Sequence, residues 1–202
     1  ELDFTDASEK ERLIQAGARH YSELLTEERA PDQTYFTLFE AAFERNHRRM
    51  AQDVVAVAGA LAHRHPEGLV LVSLARAGTP VGVLLRRALG RLGVDAPHVS
   101  VSIIRDRGID AVAMDAIRAR WPNLPVRFVD GWTGKGAIAR ELKVAMKEYN
   151  TSRRTSLSDG LVVLSDLAGV AQLAASGDDY LIPSAILNAV VSGLVSRSVL
   201  SK

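Results

Sequence analysis

The sequence predicts an α/β domain, a mostly parallel sheet flanked by helices, with an N-terminal helical extension. Three observations carry this. From residue 69 onward, short apolar runs alternate with stretches of helical period. The runs are apolar almost throughout, as strands covered on both faces are. Turns bearing glycine fall where a strand hands over to a helix, at residues 75–80 and 131–136.

The chain has 202 residues, 47% of them hydrophobic, which suits one compact domain. Residues 1–66 are expected to form a helical segment packed on a core of residues 67–202. A net charge of +1 leaves no electrostatic footprint for direct nucleic-acid binding. With zero cysteines these residues supply no disulfide, no cysteine metal site and no thiol nucleophile. A reducing, cytoplasmic setting is compatible with that. The polar start is not a signal peptide. The longest apolar stretch, residues 185–200, is broken by Asn188, Ser192, Ser196 and Arg197, so no membrane span is expected. The chain does not begin with Met and ends on a polar Ser201-Lys202, so it is expected to be part of something longer.

In order, Ser8 and Glu11 fit a capping box, followed by a helix bearing Leu13, Ile14, Gly17, Tyr21, Leu24 and Leu25 on one face. After Pro31 a second helical region runs over residues 34–65, with a break expected in its charged middle, 44–49. Strands are expected at 69–74, 99–104, 126–129 and 161–165. Helices are expected at 81–92, 110–120 and 137–149. Pro80 suits a helix start, where its missing N–H is not needed. Pro183 marks another. Asn188, Ser192 and Ser196, four apart, form one polar stripe on an apolar helix. Such a helix is buried or forms a subunit interface, which leaves a homodimer open. None of the five histidines shows metal-ligand spacing.

The unusual loops all follow strand ends, where ligands of parallel sheets bind. Residues 126–138, VRFVDGWTGKGAI, are a strand, a glycine loop and a helix in succession. Backbone N–H groups at such a helix start favour an anion, and Lys135 adds positive charge. The same pattern also suits an ordinary strand-to-helix turn. It is neither a Walker loop nor G-x-G-x-x-G. Residues 73–80, SLARAGTP, repeat the arrangement with Arg76 beside Gly78; a tight turn with a solvated Arg76 is the plain alternative. Arg105 and Arg107 follow the strand at 99–104, and guanidinium forks suit phosphate oxygens. An exposed Arg–Asp pair there would contribute little.

A strand ending in an acid, then Thr-Gly-x-Gly, then a helix resembles the PRPP loop of phosphoribosyltransferases. The resemblance implies a type I phosphoribosyltransferase-like fold. It implies that Asp130 holds the ribose hydroxyls and that Thr133, Gly134, Lys135 and Gly136 wrap the 5′-phosphate, with Gly131 and Trp132 in the same PRPP-binding loop. Arg76, Ala77 and Gly78 match the pyrophosphate loop. Arg105 and Arg107 fall on the loop that closes over PRPP in that family, and with Asp130 they are the expected catalytic residues. Asp166, Asp178 and Tyr180 would face a base-like acceptor. Mg²⁺ would be held mainly by PRPP, without a dedicated protein site. Two departures stand out: Gly131 replaces the usual second acid, and the loop is about a residue short.

Five blocks in order sharpen this: GARHYSE (17–23), LVSLARAGTPVGVLLRRAL (71–89), SIIRDRGID (102–110), VDGWTGKGAI (129–138) and DDYLIPSAILNAVVSGLVSR (178–197). Together they resemble the phosphoribosyltransferase-like domain of bacterial tellurite-resistance and stress gene clusters. That family is also labelled cysteine protease StiP. Its longer members continue into a Pelota-like RNA-binding domain, expected to lie outside these 202 residues. The resemblance implies transfer of phosphoribose from PRPP with release of pyrophosphate. A non-catalytic PRPP- or nucleotide-sensing module is the alternative, and a hydrolase a more remote one. A cysteine protease needs a thiolate, which these residues lack.

Overall fold

In the computed structural model of the chain, residues 6–18, 32–104 and 106–180 are described. The expected helix after Pro183, the 188/192/196 stripe, His20 and Arg105 lie outside them. Five strands run parallel: β1 (Val70–Ala75), β2 (His98–Ile104), β4 (Val126–Val129), β5 (Leu161–Ser165) and β6 (Leu173–Ser176). A two-residue β3 (Gly108–Ile109) pairs antiparallel with β2 at one edge. The spatial order is β3-β2-β1-β4-β5-β6. From β1 the chain moves outward to β2, then returns to β4 on the other side of β1. The winding therefore reverses between β1 and β4, and the crevice at that reversal is where doubly wound sheets bind ligands.

Alternation along the central strands feeds two cores. Val70, Val72, Leu74, Phe128 and Val163 face α4 (Ala111–Arg120) and α5 (Ala137–Arg153), which contribute Met114, Ile117, Leu142 and Met146. Leu71, Val129, Val162 and Leu164 face the other way. They meet α2 (Gln33–Arg64) through Val54, Val57, Ala58 and Leu61, and α3 (Gly78–Arg91) through Val81, Leu85 and Leu89. Each fully buried aliphatic or aromatic side chain stabilises by about 1.5–3 kcal/mol. The mostly parallel, helix-flanked sheet expected from the sequence is the observed one.

Several local expectations are corrected. The helix α1 (Ala7–Gln15) is capped by Asp6, which accepts from Ser8 N at 2.9 Å, so the Ser8–Glu11 box does not form. An acid is the better partner for the positive helix end. That helix ends at Gln15, with Gly17 at φ +65° just beyond, and residues 21–25 lie outside the described chain. The charged middle of α2 is no break. Glu44, Arg45 and Arg48 are good helix formers on exposed positions, and no Gly or Pro interrupts them. The first helical position of α3 is Gly78, so Pro80 sits inside the first turn. The short β3 and β6 were not foreseen: two residues carry no period, and Leu-Ala-Ala-Ser lacks the β-branched character of a strand.

Beneath the first turn of α3, Ser73 on β1 donates from Oγ to Gly78 O at 2.9 Å and bonds His98 Nε2 at 2.8 Å. Burial first, then Arg86, hold the His98 imidazole below its usual pKa. Gly82 lies on this pair: a Cβ there would strike Ser73 Oγ and His98 Nε2, with His98 Cδ2 at 2.7 Å. No described helix is long and apolar enough to cross a membrane. We expect Gly82→Ala to lower unfolding free energy by about 1–3 kcal/mol, the usual cost of overpacking. Urea denaturation checks this; an unchanged midpoint would mean that the Ser73–His98 pair shifts freely.

Candidate functional site

The loop after β1 and the loop after β4 meet at the reversal point of the sheet. Their contact is backbone on backbone. A Cβ on Gly78 would lie 3.0 Å from Val129 C and 3.1 Å from Asp130 Cα, and closer still to the Val129 carbonyl oxygen. Only glycine allows this approach. The peptide Ala75–Arg76 is cis, and Arg76 Nη1 is buried. Thr79 joins Ser100 on the neighbouring β2 through their hydroxyls at 2.8 Å.

Asp130 closes β4 and is 7% exposed. Its backbone N–H donates to Val162 O at 3.0 Å, and its Oδ1 accepts from Gly131 N at 2.8 Å. Burial pushes its carboxyl up to about 7, against the lowering effect of the Gly131 N–H. Gly131 continues the pairing, with its carbonyl accepting from Leu164 N at 3.2 Å. Trp132 bridges Ser165 in parallel and is 40% exposed, its indole beside Gly134.

Thr133 is turned inward. Its N–H donates to Ser165 O at 3.1 Å, and its hydroxyl donates to Asp166 Oδ1 at 2.8 Å and accepts from Ala168 N at 3.0 Å. Asp166, expected beside an acceptor, also takes the N–H groups of Val170 and Ala171 at 3.1 and 2.9 Å. Partial burial raises its pKa, but these donors outweigh that and hold the carboxylate low. The two residues therefore tie the loop after β4 to the loop after β5. Gly134 and Gly136 adopt φ +53° and +75°, and Gly136 is the N-cap of α5 with no side-chain cap bond. A helix start without a side-chain cap has backbone N–H groups that can receive an anion. Lys135 is exposed beside it.

Arg140 was missed in the sequence. It lies one turn into α5 and donates from Nη1 to Lys135 O at 3.1 Å, bringing a guanidinium onto the loop. Its four-residue spacing from Gly136 was the available signal. Asp106, Ala137, Arg140, Glu141 and Val144 line one open cavity of about 230 Å³, so the arginine loop borders the first turns of α5. Arg107 is exposed on that loop.

Asp178 and Tyr180, also expected near an acceptor, lie against α2. Arg49 reaches Ser176 Oγ at 3.0 Å and Asp178 Oδ2 at 2.6 Å, and sits 4.0 Å from the centroid of the Tyr180 ring. The Tyr180 hydroxyl bonds Asp53. Burial, with Asp53 beside it, holds that phenol well above the ordinary tyrosine range. The structure thus brings together the loops at 76–78 and 130–136, with 106–108 at their flank, and engages Asp178 and Tyr180 with α2. Among the described residues no group of three or more His, Asp or Glu is arranged to hold a metal.

Fold and loops define a doubly wound α/β domain with two glycine turns at its reversal point. The family model for "tellurite-like stress resistance cysteine protease StiP" matches residues 1–202. A curated relative, cysteine protease StiP of Acinetobacter baylyi, is 51% identical over 195 residues, covering 96% of this chain and 50% of its own length. The chain belongs to the StiP family, and it spans about half the length of that relative. Similar solved structures include hypoxanthine phosphoribosyltransferase from Trypanosoma cruzi with the product IMP (19% identity, TM-score 0.45, covering 63% of this chain and 66% of that one). Another is the Leishmania tarentolae HGPRT-ase with GMP (15%, 0.48, covering 64% and 76%). At these values the likeness carries no functional argument.

Two outcomes follow from this geometry. Gly78→Ala forces the β1 and β4 loops apart, and we expect a loss of at least about 1–3 kcal/mol in urea unfolding; wild-type stability would show that the contact yields. Asp130→Asn removes the cost of ionising a buried carboxyl. The folded pKa, about 7, lies above the unfolded value of 3.8, so the native state binds the extra proton between them. Wild-type stability from this group falls as pH rises from 3.8 to 7. The stability gained by Asp130→Asn should therefore be larger at pH 8 than at pH 5 in paired denaturation curves. A constant difference would place the carboxyl in water.

Proposed function

We propose that this chain is a phosphoribosyltransferase domain that binds PRPP and transfers its phosphoribosyl group to a small base-like acceptor, releasing pyrophosphate. The observation that carries the reading is the meeting of the 76–78 and 130–136 loops at the sheet's reversal point, in front of an α5 start that no side chain caps. The main chain of Gly134 and Lys135 and the first turn of α5, with the Lys135 and Arg140 side chains, would hold the 5′-phosphate, while Gly136, whose N–H is spent on Thr133 O at 2.8 Å, would shape the turn. Thr133 serves by fixing that turn, since its N–H and hydroxyl are engaged internally. Arg76, Ala77 and Gly78 would face the pyrophosphate, with Arg107 at the flank. Asp130 would orient the ribose hydroxyls. The C1′–O bond to pyrophosphate breaks and a nitrogen lone pair of the acceptor closes on C1′, the nitrogen's proton passing to solvent. The protein's share is positioning and charge stabilisation.

Among the described residues the crevice offers the Asp130 carboxyl and no group of three or more acids or histidines, which suits a cation carried in by its ligand. Mg²⁺ bound to the diphosphate would neutralise charge on the leaving group, and Asp130 would be the carboxyl to face it. A cytoplasmic setting, with a role in stress resistance, goes with this reading. The StiP name points to a thiol protease. These 202 residues contain no cysteine. Ser73, the one serine paired with histidine among the described hydrogen bonds, is 0% exposed and donates to a backbone carbonyl. Those facts favour transferase over hydrolase for this chain. The burial of Asp130, with Gly131 in place of a second acid, favours a second reading, a module that binds PRPP or a nucleotide without turnover.

Titration calorimetry of PRPP with Mg²⁺ tests the proposal. We expect saturable binding that Lys135→Ala weakens by about tenfold, as loss of a charge-assisted contact does, and that Asp130→Ala also weakens. Absence of binding by the wild-type chain would overturn it. Pyrophosphate release with a panel of bases then separates transfer from sensing.

A further inference from the structure

Two neighbouring residues of α5 hold the two anion-facing loops. Arg140 reaches back to Lys135 O at 3.1 Å. Glu141 reaches the other way: its Oε2 accepts from Asp106 N and its Oε1 from Gly108 N, each at 3.0 Å. The turn it grips is unusual. Asp106, a non-glycine residue, sits at φ +64°, and Gly108 at φ +78°. A non-glycine residue keeps that backbone only where its surroundings impose it, and Glu141 binds the N–H on both sides of Arg107. Gly108 also rests on Ala145, one turn further along α5, where a Cβ would lie 3.5 Å away. The gripped turn and the start of α5 line the same cavity of about 230 Å³.

A carboxylate beside an anion site is electrostatically unfavourable. Here its charge is answered by two backbone donors and aimed at the loop rather than at the crevice. We infer that Glu141 is a positioning residue: it fixes the 106–108 turn so that Arg107 faces the diphosphate of a ligand whose 5′-phosphate sits at the start of α5, joining the two loops into one site for both groups. This rests on the PRPP reading above. Glu141 itself touches no ligand. Its effect is confined to the part of PRPP that a single phosphate lacks.

The test compares ribose 5-phosphate with PRPP and Mg²⁺, by calorimetry, on the wild-type chain, Glu141→Ala and Glu141→Gln. Native-state amide exchange at Asp106 and Gly108 is measured alongside. Glu141→Ala is expected to leave ribose 5-phosphate affinity unchanged, to weaken PRPP by about tenfold, and to speed exchange at both amides. Glu141→Gln, which keeps one acceptor oxygen, should recover part of each. Unchanged PRPP affinity in Glu141→Ala, with ribose 5-phosphate still bound, overturns the inference alone. Equal weakening of both ligands also overturns it, because the residue would then merely support α5. If wild type binds ribose 5-phosphate in no measurable amount, the phosphate-loop reading falls, and this one with it.

Discussion

The structure depends on how closely the chain can pass over itself where its winding reverses. Gly78 lies on the backbone of Val129 and Asp130 with no room for a Cβ. That contact sets the distance between the loops after β1 and β4, and so the width of the crevice. Everything below it is arranged to keep it. Ser73 reaches up from β1 to the Gly78 carbonyl, and Gly82 gives Ser73 and His98 the space to meet. The apolar strands beneath, closed on both faces, make the platform stiff. A side chain at Gly78 would disturb neither core directly, yet it would move the place where the two glycine turns face each other.

The sheet was legible because its strands are short apolar runs separated by helical periods, and β4 and β5 fall at the residues the pattern marks. Boundaries failed where local chemistry outranked pattern. Asp6 displaced Ser8 as a cap because an ionised acceptor answers the helix dipole better than a hydroxyl. The charged middle of α2 looked like a break, but its residues favour helix, and Arg49 within it turns out to grip Ser176 and Asp178. Of the site, the glycine turns were visible because close approach leaves a compositional trace. Partners joined only by tertiary structure left none: Thr133 with Asp166, Arg49 with Tyr180, and Glu141 with the 106–108 turn.

The inward commitment of Thr133 shifts where recognition can happen. A hydroxyl and N–H spent on Asp166 and Ser165 hold the turn but do not offer themselves to an anion. Gly136 N–H is likewise spent, on Thr133 O, which leaves main chain at Gly134 and Lys135, a helix start with no side-chain cap and two cations, Lys135 and Arg140. On the proposed function, such a site would bind charge and shape, with little reading of what the phosphate is attached to. Discrimination among ligands then has to come from beyond the turn: the Asp130 carboxyl, the exposed face of Trp132, and the flanking arginine loop.

Ser73 and His98 show why a catalytic pair is recognised by its surroundings rather than its distance. Their 2.8 Å contact is within the range of an activated serine. A nucleophile, however, needs a substrate to reach it and a base free to take its proton. Ser73 is fully buried, its hydroxyl proton is directed at the Gly78 carbonyl, and the imidazole meeting it is held neutral by burial and Arg86. The hydroxyl has one proton, so with Gly78 as its acceptor, His98 Nε2 must be the donor to Ser73. That is the wrong tautomer for a general base. The pair is therefore a strut under the β1 loop, and the proposed chemistry belongs above it, where the glycine turns meet.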